Sequence, residues 1–170
     1  MILKALRTLH LIRHAYTPIH LISNDFDRPI DFGCQTHTQK FPVTTKNSLS
    51  RIDHVYCSSA VRTRQTYVLL QPYFSKDPTI VYTDLLYDKK DEYTQVVWDL
   101  LREVPNEKNN VLIIGHNPGL TDFYNSLSVP NYENIHFPPL GLATIQFHPT
   151  SSWDQVYAEQ AIERNISACA

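Results

Sequence analysis

Four residues stand where they could do chemistry together. Arg13 and His14 end the apolar run Leu11-Ile12. Arg62 follows a second run, Val55-Tyr56-Cys57, across Ser58, Ser59, Ala60 and Val61. His116 follows a third, Val111-Leu112-Ile113-Ile114, across Gly115. Arg13 and Arg62 are permanent cations whose planar donor forks suit phosphate oxygens. Positive charge beside His14 favours neutral imidazole, the form that attacks. The set predicts nucleophilic phosphoryl transfer: His14 attacks phosphorus, carries the phosphoryl group, and loses it to water. Cationic groups would hold the charge that spreads in the transition state, so no metal is required.

Taken one at a time, the features have plainer readings. An Arg-His pair after a strand can be structural. Arg62 can be an ordinary helix-face charge. Gly115-His116-Asn117-Pro118 can be only a strand-to-helix turn. What outweighs these readings is position, because all three sites fall where an apolar strand ends and a helix begins. In α/β sheets, ligands sit beyond the carboxyl ends of strands, near a switch in strand order. Arg62 falls in the first turn of its helix, where free N–H groups add anion affinity.

The elements that must position these residues follow from periodicity and punctuation. Strands are expected over Thr8–Arg13, His54–Cys57, Ile80–Tyr82, Val111–Ile114 and Leu142–Phe147. Val111–Ile114 has the unbroken apolar character of a strand buried on both faces. A helix capped by Ser58 or Ser59 should run to about Phe74. Another should span Asp91–Val104, where Tyr93, Val96, Val97, Leu100 and Leu101 recur at helical steps. A third should start with Asn117 as cap and Pro118 at its first position. Gly33–Phe41 could hold a short helix, whereas Pro42–Ser50 reads as a polar loop, Leu85–Asp88 as a connection and Val129–Pro139 as a loop. Trp153–Ala158 reads as an edge strand, with the last residues helical or frayed. Strands alternating with helices give the class α/β with a mainly parallel sheet.

Composition narrows the partners. The chain has 170 residues and a net charge of −2, so one domain is expected and no overall field draws it to nucleic acid or anionic lipid. Any basic site must be local. Cys34, Cys57 and Cys169 are too widely spaced for a disulfide framework or a C-x-x-C metal motif, which fits a reducing cytoplasm. No apolar run approaches a membrane span, and the first seven residues are too short and charged for a signal peptide. The four glycines form neither a dinucleotide fingerprint nor a P-loop.

As a set, the motifs resemble those of the histidine phosphatase superfamily, which has the phosphoglycerate-mutase-like fold. The matching blocks are Leu11-Ile12-Arg13-His14-Ala15, Ser58-Ser59-Ala60-Val61-Arg62-Thr63-Arg64-Gln65-Thr66 and Ile114-Gly115-His116-Asn117-Pro118. Small size, the Asp27-Arg28-Pro29-Ile30 stretch and the G-H-N-P form resemble the SixA-type phosphohistidine phosphatase branch. The resemblance covers about residues 8 to 148. It implies a three-layer sandwich and a single histidine-phosphatase-like domain over residues 1–170. It also implies hydrolysis of phosphohistidine on a protein, or of a small phosphorylated substrate, with no cofactor or metal and no nucleic-acid or membrane partner. By the same resemblance His14 is the nucleophile, and Arg13, Arg62 and His116 complete the phosphate pocket. Arg28 would touch phosphate or substrate, and Asn117 would offer its backbone N–H.

The sequence departs from the family pattern at Ala15, Tyr16, Ile30-Asp31 and His20. His20 stands where mutase-type members often carry Asn, which argues against a sugar-phosphate mutase. No glutamate is placed as a general acid, and Asp88, after Leu86-Tyr87, is the nearest candidate. Alkoxides need a proton on leaving, whereas the imidazole of phosphohistidine leaves readily. A pocket without a strong acid therefore suits phosphoramidates. Competing readings are a phosphomonoesterase of small metabolites and a phosphate-binding regulatory module without turnover. Cys57 to Arg62 is C-x4-R without glycine, one residue short of the cysteine-phosphatase loop. A metal on His10, His14 and His116 would be repelled by Arg13 and Arg62.

Overall fold

The computed structural model describes residues 5–18, 24–31, 33–88, 91–127 and 135–167. The strands are β1 (Ala5–Arg13), β2 (His54–Ser58), β3 (Thr79–Thr83), β4 (Asn110–Gly115), β5 (Leu142–Thr150) and β6 (Ala161–Ser167). They form a six-stranded sheet of order β3-β2-β4-β1-β5-β6. Strands β3, β2, β4 and β1 are parallel, while β5 and β6 add antiparallel pairs at the β1 side. The sheet is thus mixed, with a parallel centre.

Successive side chains of a strand point to opposite faces, and the two cores follow that alternation. Leu9, Leu11, Val111 and Ile113 face one way, onto α5 (Tyr93–Arg102) and α6 (Gly119–Ser126). Ile12, Leu112 and Ile114 face the other way, with Val55 and Cys57, toward α1 (Cys34–Gln39), α2 (Val43–Leu49) and α3 (Val61–Leu70). Helices therefore cover both faces, giving three layers. On α5 the buried residues are Tyr93, Val97, Leu100 and Leu101, the stripe that its spacing predicts. Gly119 admits the Tyr93 ring and Gly115 its hydroxyl, because a Cβ at either would collide with that side chain. That close approach seats α5 directly beneath the turn after β4.

Several boundaries differ from the sequence reading. Val43–Leu49 is helical, not a loop: Thr45 and Leu49 are buried on its inner face. Tertiary packing there overrides the poor helix propensity of two threonines, an asparagine and a serine. Leu85–Asp88 is a short helix, α4, where a connection was expected. The edge strand is Ala161–Ser167, in the stretch expected to be helical or frayed, where antiparallel pairing with β5 orders it. Trp153 lies in a 3₁₀ turn, with its Nε1 donating to the Lys108 carbonyl at 2.7 Å, so it is not in a strand. The α3 helix stops at Leu70, followed by a 3₁₀ turn at Gln71–Tyr73. Of the expected Val129–Pro139 loop, residues 135–139 have no helix or strand, and residues 129–134 lie outside the described residues, as do His20 and Cys169. Among the described residues no helix is long and apolar enough to cross a membrane.

Candidate active site

Register decides the site. Ile12 of β1 pairs with Ile114 of β4, and Ile114 in turn pairs with Cys57 of β2. These three residues lie abreast, so Arg13-His14, Gly115-His116 and Ser58 emerge together at one rim of the sheet. Arg62 joins them from the first turn of α3. Arg13, His14, Arg28, Arg62, His116 and Asn117 all line one cavity of about 340 Å³, with Asp25, Tyr87 and Pro118 completing its wall. The expected Asp88 ends α4, but its side chain lies outside the described residues.

The turn carrying His14 is tied down on every side. The His14 N–H donates to the Gly115 carbonyl, the Ala15 N–H to Thr66 Oγ1, and the Leu140 N–H to the Arg13 carbonyl. Leu140 holds a left-handed φ of 57°, a strained conformation for a branched side chain that its burial and this bond sustain. His14 Nδ1 lies 2.7 Å from its neighbour's carbonyl, that of Ala15. A carbonyl only accepts, so Nδ1 carries the proton and Nε2 keeps its lone pair. Burial pulls the His14 pKa down, its carbonyl bond partly offsets this, and Arg62, Arg13 and Arg28 lower it further, to about 4. At neutral pH this imidazole is uncharged and held in one tautomer, with an Nε2 lone pair that could attack an electrophile.

His116 stands beside it, the two ring centroids 5.2 Å apart. Burial first, then His14 and the arginines, lower its pKa to about 2. Its Nε2 is 2.8 Å from Ser58 Oγ, and its buried Nδ1 has no partner. Ser58 Oγ also accepts the Ala60 N–H at 3.5 Å, so the hydroxyl proton is available to His116 Nε2. That network assigns the remaining imidazole proton to Nδ1. It also explains why neither serine caps α3: Ser58 ends β2 and serves His116, and the N-cap is Ala60 without a side-chain bond.

The cations are held at the walls. Arg13 Nη1 donates to the Phe137 carbonyl at 2.9 Å, and Arg62 donates to the Asp25 carbonyl at 2.6 Å and its carboxylate at 2.9 Å. Arg28 pairs with the other Asp25 oxygen at 2.8 Å. Partial burial pushes the Asp25 pKa up, but Arg62, Arg28 and the Tyr87 hydroxyl outweigh it and hold the carboxyl below its usual value. Three guanidiniums against one carboxylate leave a surplus of positive charge suited to a phosphoryl dianion. Tyr87 closes the rim, with its ring edge-on to His116 and beneath the Arg62 guanidinium.

Sequence reading missed Asp25 and Tyr87 as members of this wall and Ser58 as the partner of His116. Asp25 precedes Arg28 by three residues, a spacing that could have flagged a pair. Ser58 is the last residue of β2 and was read as a helix cap. Asn117 lines the cavity, but its expected place as the cap of α6 is corrected. Its amide donates to the Phe137 carbonyl at 2.9 Å and accepts from Thr121, while the N-cap of α6 is Pro118, across a cis Asn117–Pro118 bond. His10 lies apart from His14 and His116, facing a different cavity and bonded to Thr144, so the three-histidine metal set does not assemble. Cys57 is buried, and burial raises its thiol pKa to about 12, which leaves it a strand residue.

No family model and no curated protein matches this sequence. Solved structures do. A proposed phosphohistidine phosphatase SixA from Nakamurella multipartitia superposes with a TM-score of 0.74 at 22% identity, over 98% of each chain. The chain has the SixA phosphohistidine phosphatase fold. A second proposed SixA, from Agrobacterium tumefaciens, gives 0.67 at 24% identity, over 83% of this chain and 92% of its own. The protein histidine phosphatase SixA complexed with tungstate gives 0.66 at 17%, over 85% and 91%. SixA-like architecture thus covers the strand ends at which the Arg-His cluster sits.

Proposed function

We propose that this protein is a phosphatase that works through a phosphohistidine on His14 and removes phosphoryl groups from phosphohistidine on a protein. The observation that carries the proposal is the His14 Nδ1–H bond to the Ala15 carbonyl, beside three guanidiniums. It leaves Nε2 as the nucleophile without any further proton transfer. In the first step an Nε2–P bond forms and the bond from phosphorus to the substrate imidazole breaks. The departing imidazole, already protonated on its other ring nitrogen, takes the electron pair and leaves neutral. In the second step water attacks phosphorus, His14 leaves with the electron pair, and inorganic phosphate is released. Arg13, Arg28, Arg62 and the Nδ1–H of His116 hold the equatorial oxygens, so the proposed chemistry requires no metal or other cofactor.

Among the described residues the cavity wall carries one carboxylate and no better proton donor, and this supports the substrate class. Asp25, the described carboxylate on its wall, is held ionised by two arginines and is poorly suited to donate a proton. Alkyl phosphates would suffer most from that shortage. The names carried by proteins of this fold support the same substrate. A cytoplasmic location belongs to the proposal, supported by the unpaired thiols of Cys34 and Cys57. The second reading is a phosphomonoesterase of small metabolites, favoured by a cavity open enough for a compact ester. Assaying the purified protein on a phosphohistidine-bearing protein and on a phosphomonoester panel tests the choice. Faster turnover of phosphohistidine is expected. Faster turnover of alkyl esters would overturn the substrate, and binding without turnover would leave a phosphate-binding module.

A further inference from the structure

A second, larger cavity lies at the opposite end of the sheet. It measures about 430 Å³ and opens between α2 and the amino-terminal halves of β1 and β4, beside β5. Pockets of this size are typical of sites for small molecules. His10 lies against it, four residues before His14 on β1 and roughly 13 Å back along the strand. The catalytic cavity shares none of its lining residues.

Its wall has an unusual composition. Thr8, Asn47, Ser48 and Thr144 present neutral hydrogen-bonding groups, and other amide and hydroxyl side chains extend them. Arg51 is the one charged residue among the described lining residues. Its guanidinium has no hydrogen-bond or ion-pair partner among the described residues, and it is close enough to lower the His10 pKa. His10 itself is 2% exposed, with Nδ1 bonded to Thr144 Oγ1 at 3.0 Å and Nε2 without a partner. Buried polar atoms are nearly always satisfied, and an orphan beside a polar cavity marks a place where something else supplies the bond. Burial holds this imidazole neutral, so it does not repel a cationic or an anionic guest.

We infer that this cavity is a second binding site, taking a small polyhydroxylated anion of the sugar-acid class. Arg51 would receive the anionic group at the mouth. Hydroxyls would meet the Thr, Ser and Asn side chains, and one would reach His10 Nε2. An apolar guest would strand these groups, and a cation would meet Arg51.

The experiment is a titration of the full chain with gluconate, followed by backbone and imidazole nitrogen resonances. Saturable shifts are expected at His10, Ser48, Arg51 and Thr144 together. Glucose, which has the hydroxyls without the charge, should bind more weakly. Arg51→Gln changes an exposed side chain and should weaken gluconate binding about tenfold or more, the loss of one charge-assisted hydrogen bond. Thr144→Val keeps the shape, frees His10 Nδ1 and should weaken it too. Shifts confined to the Arg13 and Arg62 cavity, no saturation at His10, or equal affinity in Arg51→Gln would each overturn the inference. None of these readings depends on turnover, so they stand or fall apart from the proposed phosphatase activity.

Discussion

Ser58→Ala removes a hydroxyl that, on the account above, decides which nitrogen of His116 carries a proton. The 2.8 Å bond joins two buried groups, and no other described residue is bonded to the His116 ring. Alanine leaves Nε2 as a buried orphan acceptor, at a cost of about 1–3 kcal/mol in stability. Without the hydroxyl donor nothing holds the ring proton on Nδ1, and the Nε2–H tautomer becomes as accessible as the Nδ1–H one. In that tautomer Nδ1 becomes an acceptor, and the N–H that the proposal assigns to the phosphoryl oxygens is lost. If the lost donor is felt fully in the transition state, the same 1–3 kcal/mol lowers turnover about 5- to 160-fold. Three readouts separate positioning from general damage: the urea midpoint, kcat on an activated aryl phosphate, and the His116 tautomer from its ring nitrogen shifts. The expected result is a fall in kcat with a changed tautomer, and recovery of both in Ser58→Thr. A destabilised variant with normal kcat and an unchanged tautomer would refute the reasoning.

Acid should destabilise the fold before it reaches the carboxylate range. His10, His14 and His116 have folded pKa values near 3, 4 and 2, below the 6.5 of a free imidazole. Below pH 6.5 the unfolded chain therefore binds more protons, and stability falls as pH drops toward 4 by about 1.4 kcal/mol per pH unit for each histidine. Urea midpoints between pH 7 and 5 check this, and a flat profile would contradict the buried neutral imidazoles. Arg62→Ala should cut turnover about 10²–10³-fold on phosphohistidine and phosphomonoester alike, since its contact is with phosphate. Asp88→Asn should slow only an alkyl phosphate if Asp88 donates a proton, and kinetics on both substrate types decide it. Activity should survive a strong chelator and be inhibited by tungstate; loss restored by zinc or magnesium would contradict the cationic pocket.

The parallel centre of the sheet was legible because Val111–Ile114 is apolar throughout and Leu9, Leu11 and Ile12 alternate faces. Arg13, His14 and His116 were legible because each follows directly on an apolar run or one residue after it, and Arg62 because it falls in the first turn of the helix after the second run. The α2 helix was not, since its buried face amounts to Thr45 and Leu49, too little to register as a period. Strand β6 was hidden because its pattern gains meaning only against β5. Asp25 and Tyr87 lie 37 and 62 residues from the partners they meet, Arg62 and Asp25. No local spacing announces contacts of that range, which the loop after β1 and the short α4 create by folding over one rim.

The central claim is a covalent bond between phosphorus and Nε2 of His14. Brief incubation with labelled substrate, quenching without acid, and mapping of the labelled peptide test it most directly. The account predicts an acid-labile, base-stable phosphoryl group on His14 Nε2 that is absent from His14→Ala. Label on Cys57 or His116, label persisting in His14→Ala, or turnover with no trapped intermediate would contradict it.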